Sequence, residues 1–106
     1  MSTQNIFGSI SITGATGAIV NNVGGLIGAA GVTRNGAGDY TFTLNRALVS
    51  SEVDVRVTQE HAAVRGGTAV DFVDSTHVRV RCVDAANPNA AADPTTLKVT
   101  FYKLRY

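Results

Sequence analysis

Apolar and polar residues alternate along most of this chain, and that alternation limits its possible folds more than any other feature. Ile6, Gly8, Ile10 and Ile12 alternate with Phe7, Ser9 and Ser11. Tyr40, Phe42 and Leu44 alternate with Asp39, Thr41 and Thr43, and Val53, Val55 and Val57 with Glu52, Asp54, Arg56 and Thr58. Val78, Val80 and Cys82 alternate with His77, Arg79 and Arg81. Leu97, Val99 and Phe101 alternate with Thr96, Lys98, Thr100 and Tyr102. A period of two puts one set of side chains into a core and the other on a second face, the pattern of a half-buried strand. Turn signals separate the runs: Asn35-Gly36-Ala37-Gly38, Gly66-Gly67 after the short run His61–Arg65, Asp74-Ser75-Thr76, and the loop DAANPNAAADPT at 84–95. No ten-residue stretch carries a helical stripe. The expectation is an all-β fold, an antiparallel β-sandwich or jelly roll of about eight strands. One domain is expected over 1–106, with 1–30 an irregular N-terminal segment used for attachment and one or two irregular strands within 13–31.

Charged residues make up 16% of the chain, against about 25% in an ordinary soluble domain. Such a surface points to a partner covering part of it. The net charge of +1 gives no electrostatic case for nucleic acid or an anionic membrane. The apolar runs are a few residues long, far short of the about 20 that span a bilayer. Cys82 is the single cysteine, so no disulfide forms within the chain.

Thr13-Gly14-Ala15-Thr16-Gly17 superficially resembles a dinucleotide-binding turn. That use requires a helix opening directly after the turn. Ile19, Val20, Asn21, Asn22, Val23, Gly24 and Gly25 follow instead and make a poor helix. Turns or bulges account for the glycines better. His61 and His77 show no metal-ligand spacing, and Cys82, in phase with Val78 and Val80, reads as a core residue. No catalytic, metal or cofactor-binding residue is expected. Arg79 and Arg81, beside Arg56, form either a solvated face or an interface stripe. Tyr102 and Leu104 either point outward and make a subunit contact, or are buried by a bulge in the last strand.

From residue 31 onward four stretches follow in order: GVTRNGAGDYTFTL (31–44), VDVRVTQ (53–59), VDSTHVRVRCVDA (73–85) and ADPTTLKVTFYKL (92–104). This pattern resembles the small β-sandwich domains of tailed-phage virion proteins, the capsid decoration (cement) proteins and tail-fibre tips. The resemblance rests on Gly36-Ala37-Gly38-Asp39-Tyr40, Asp74-Ser75-Thr76, Val78–Val80 with Asp84, and Asp93-Pro94 with Val99-Thr100. It implies a trimeric jelly roll of the tumour-necrosis-factor-like kind and a non-enzymatic structural role in the virion. The short chain, starting at its own Met1 with no shaft, favours a decoration protein on the capsid exterior, made in the bacterial host cytoplasm. The expected partners are the major capsid protein and two further copies of the chain, with no cofactor, nucleic acid or membrane. On this reading Tyr102, Leu104, Arg79 and Arg81 make the threefold contact. Ile6, Phe7, Ile10, Ile19, Val20, Leu26 and Ile27 make the capsid contact. The alternative is a tail-fibre tip or a receptor- or glycan-binding module, with its site on the loops at 45–51, 61–68 and 84–95.

Overall fold

The computed structural model describes residues 3–60, 67–83 and 91–105. Side chains are described from Gly8 onward, except those at 29, 30, 50, 60, 104 and 105. Eight strands run in the order β1 (Thr3–Thr13), β2 (Ile19–Val23), β3 (Ile27–Gly36), β4 (Asp39–Leu44), β5 (Val53–Glu60), β6 (Thr68–Asp74), β7 (His77–Cys82) and β8 (Thr96–Arg105). A single 3₁₀ turn, Ser50–Glu52, leads into β5.

The strands form two four-stranded antiparallel sheets, β2-β1-β8-β5 (sheet A) and β3-β4-β7-β6 (sheet B). The fold is therefore the all-β sandwich that the alternation predicts. The chain crosses between sheets after β2, β4, β5 and β7, wrapping the core as a jelly roll does. The pairs β1–β2, β3–β4 and β6–β7 stay within one sheet as neighbours.

The inward sets meet as the alternation requires. Ile10, Ile12, Leu97, Val99 and Phe101 come from sheet A, and Tyr40, Phe42, Leu44, Val78, Val80 and Cys82 from sheet B. All are buried, and each large apolar side chain removed from water contributes about 1.5–3 kcal/mol. Burial pushes the Cys82 thiol up to about 11, with the nearby Asp93 carboxylate adding to the shift, so the sulfur is an inert core atom.

Shifts of register escape the simple pattern. The β1–β8 register shifts between Ile6 and Gly8, so Ile6 stands opposite Tyr102 while Gly8 stands opposite Phe101. Phase is therefore not kept along the whole of β1. The first part of the 1–30 segment is nonetheless a paired strand: β1 lies between β2 and β8 and pairs with β8 from Thr3 to Thr13. Further irregularity lies in the bulged pairing of β2 and in β3 between Ile27 and Val32. At the far side, β5 and β6 are the edges of their sheets. Their inward residues Val55, Val57, Val70 and Phe72 pack on the core but stay only half-buried, because no further strand covers them among the described residues.

Candidate functional site

The outward positions of sheet B carry an ordered polar array. Pairing of β4 with β7 sets Asp39 opposite Arg81, Thr41 opposite Arg79 and Thr43 opposite His77. On the other side of β7, β6 sets Ala69 opposite Arg81 and Asp71 opposite Arg79. Both arginines reach diagonally: Arg79 donates through Nε and Nη2 to both oxygens of Asp39, and Arg81 Nη2 donates to Asp71 Oδ2 at 2.8 Å. Diagonal neighbours on a sheet face lie within reach of long side chains. Asn35 on β3 completes this corner, its Nδ2 donating to Asp39 Oδ1 (3.2 Å) and Thr41 Oγ1 (2.8 Å). The Arg79 hydrogen bonds, helped by Asn35, hold the Asp39 carboxyl below its usual range despite partial burial.

The β6–β7 turn supplies the other end. Asp74 Oδ1 accepts from the Thr76 backbone N–H (2.9 Å), an Asx turn, and His77 Nδ1 lies 2.8 Å from the same oxygen. The Thr76 N–H and the His77 ring together pull the Asp74 carboxyl down to about 2. Asn35, Thr41, Val73, Asp74, His77 and Arg79 line a shallow, open depression of about 510 Å³ between these two ends.

A second polar cluster ties the sandwich together at the edge of the same sheet. Asp93 Oδ1 accepts from the Gly38 N–H (2.8 Å) and lies 2.9 Å from the Tyr40 hydroxyl, while Oδ2 accepts from Arg34 Nη2 at 2.6 Å. The Tyr40 hydroxyl also donates to the Gly14 carbonyl at 2.6 Å. Partial burial raises the Asp93 carboxyl, but Arg34, Gly38 N–H and Tyr40 outweigh it and hold the group below its usual range. Burial, then the adjacent Asp93, raise the Tyr40 phenol, so it stays protonated. Gly38 has φ of +64°, and a Cβ there would run into the carbonyl oxygens of Cys82 and Ala92. The positive φ of the 35–38 turn thus falls on Gly38, and none falls on Asn35.

The dinucleotide-like stretch is a β1–β2 turn. Gly17 N–H donates to Thr13 O at 2.7 Å and Thr13 N–H to Ala18 O at 2.8 Å, with Gly17 at φ of +74°. A strand, β2, follows it, so no helix N-terminus is present there to hold a phosphate.

The residues expected at a threefold contact do not form one patch. Arg79 and Arg81 lie on the outer face of sheet B. Tyr102 lies on the outer face of sheet A, half-buried, with the Arg56 guanidinium 5.0 Å from its ring centre. The two groups lie on opposite faces of the sandwich, separated by the thickness of the core. The Leu104 side chain lies outside the described residues. Of the residues expected at the capsid, Ile10 (1% exposed), Leu26 (4%) and Ile27 (3%) fill the core, a correction that follows from their inward phase. Ile19 is partly buried against the core, and Val20 is 65% exposed on β2. The side chains of Ile6 and Phe7, and the whole of His61, lie outside the described residues.

Sequence reasoning missed Asn35, Thr41, Asp39 and Asp93 as partners. Their only signal was polarity at outward positions for Asn35, Asp39 and Thr41 and the Asp-Pro pair for Asp93. Together the fold and this face define a class: a small antiparallel β-sandwich presenting a preformed polar surface on one sheet. Comparison with known proteins adds no relative, since no family model, curated protein or solved structure matches the chain.

Proposed function

We propose that the protein is a structural component of a tailed-phage virion, a decoration protein that binds the assembled head from outside as a homotrimer. The observation that carries this reading is the distribution of charge over the fold. No Asp, Glu, Lys or Arg precedes Arg34. The strands built from that stretch include β2 and most of β3, the edges of the two sheets that meet along one side of the sandwich. Val20 (65% exposed) and Val23 (55%) stand on that side. An uncharged surface loses little solvation when a partner covers it. The resemblance of residues 31–104 to virion sandwich domains names the partner as the major capsid protein.

The mechanism is linkage. A protein that binds only the assembled shell stabilises it by mass action, and three tethered copies add avidity. The threefold contact is assigned to the Tyr102 face of sheet A. The capsid contact is assigned to Val20 and Val23. Heads carrying the protein are expected to rupture at higher temperature than heads lacking it, and Val20→Asp should abolish binding while leaving the fold intact. Equal rupture temperatures with and without bound protein would remove the basis for this reading.

A further inference from the structure

We infer that the depression on the outer face of sheet B is a binding site for a neutral saccharide. This does not depend on the capsid reading, since the face belongs to the isolated sandwich. The argument starts from bonding capacity left over after the internal contacts are made. Arginine carries five N–H donors, and Asp39 engages Nε and Nη2 of Arg79. The remaining donors of Arg79 have no partner among the described residues. Asn35 spends its amide hydrogens on Asp39 and Thr41, which leaves its carbonyl oxygen as an acceptor. Thr41 Oγ1 accepts from Asn35 and keeps its own proton to donate. His77 turns Nδ1 toward Asp74, leaving Nε2. The lining thus offers both donors and acceptors. A hydroxyl group, which donates and accepts at once, matches such a surface better than an ion does.

Charge supports the same class. Asp74 and Arg79 line the depression with opposite charges, with His77 beside them and Asp39 paired to Arg79, so neither sign dominates. An anion would meet the Asp74 carboxylate and a cation the Arg79 guanidinium. Val73, 61% exposed, adds one apolar contact for the C–H face of a sugar ring. Hydrogen bonds within the protein already fix Arg79, Asn35 and His77, so little side-chain freedom remains to be lost on binding. The site lies on a sheet face, not on the loops where the sequence suggests a glycan site.

The test is a titration of the full chain, followed by backbone amide chemical shifts. The neutral probes are galactose, glucose and N-acetylglucosamine, and the charged probes are glucuronate and inorganic sulfate. At least one neutral sugar should shift amides within 39–43 and 73–79 saturably, with affinity in roughly the millimolar range expected for a few hydrogen bonds on an open surface. Arg79→Ala should weaken binding about tenfold or more. Thr41→Val, which leaves the Arg79–Asp39 pair in place, should also weaken it, and Lys98→Ala on the opposite sheet should not. The inference is overturned if no neutral sugar shifts these amides, if only glucuronate or sulfate does, or if the shifts map to sheet A.

Discussion

Two Arg–Asp arrangements on the same sheet behave as different objects. At the edge, Arg34 and Asp93 close to 2.6 Å with side chains 30% and 24% exposed, and the same carboxylate holds the Gly38 N–H and lies against the Tyr40 hydroxyl. On the face, Arg81 and Asp71 close to 2.8 Å with side chains 49% and 54% exposed and no other hydrogen bond between them and the described residues. Distance does not separate the two pairs. What separates them is how many otherwise buried groups depend on the carboxylate. Asp93 links the segment before β8 to the β3–β4 turn and, through Tyr40, to the Gly14 carbonyl at the end of β1. Asp71 links β6 to β7, which are already paired strands.

Removing Asp93 should therefore have the largest effect. Asp93→Ala leaves the buried Gly38 N–H without its acceptor and Arg34 without its counter-charge. The expected loss is about 2–3 kcal/mol, read as a lowered midpoint in urea unfolding with an unchanged slope. A loss below about 0.5 kcal/mol, the range of an exposed pair, would erase the distinction between edge and face.

Acid should act on the edge cluster and on the face. Asp93, Asp39 and Asp74 all have carboxyl groups held below their ordinary values in the folded protein. A depressed folded-state value means that the unfolded chain binds protons more readily. The stabilisation is complete above the unfolded value of about 4 and is lost as pH falls through the folded values, about 2 for Asp74. Melting temperature should accordingly decline between pH 5 and about 2. In Asp93→Asn the protein starts less stable but the decline is shallower, because one titrating group has gone. An identical slope in both proteins would place the acid sensitivity on the face.

Tyr40→Phe sharpens the comparison by keeping the ring. The phenyl group still fills its place in the core, so no cavity opens, and only the hydroxyl's contacts with Gly14 O and Asp93 are lost. The expected loss is about 1–2 kcal/mol, since a carbonyl at a buried position loses its donor. Urea unfolding beside Asp93→Ala would show the two as parts of one cluster if their combined effect falls short of the sum.

Neither arrangement was legible in the sequence, although the fold largely was. Alternation finds strands because each residue's face depends only on its neighbours in sequence. It found β4, β5, β7 and β8 and the inward phase of Tyr40, Phe42, Val78 and Val80. It could not show that Tyr40 is both a core residue and a hydrogen-bond donor. Asp93 sits 59 residues from Arg34, in a loop singled out only for its Asp-Pro pair. The Arg79–Asp39 pair spans 40 residues and needs the β4–β7 register, which alternation does not carry. The same gap applies to Tyr102 and Arg79, which are both outward, but outward from different sheets. Phase was lost where the register shifts between Ile6 and Gly8, because a bulge breaks the parity on which the argument relies.

The smallest expected effect belongs to the face. Arg81→Ala removes an ion pair whose members are both about half exposed, where water replaces the lost contacts and salt already screens the attraction. The guanidinium also gives up the ordering that the pair imposes on a long side chain, which offsets part of the loss. Stability should change by no more than about 0.5 kcal/mol in either direction, and raising the salt concentration should narrow even that difference. The β6–β7 ladder supplies the backbone bonds that hold these strands, so the pair is not needed to keep them in register. A loss comparable to that of Asp93→Ala would mean that the face, like the edge, holds the sandwich together, and that its polar groups are not free to serve a ligand.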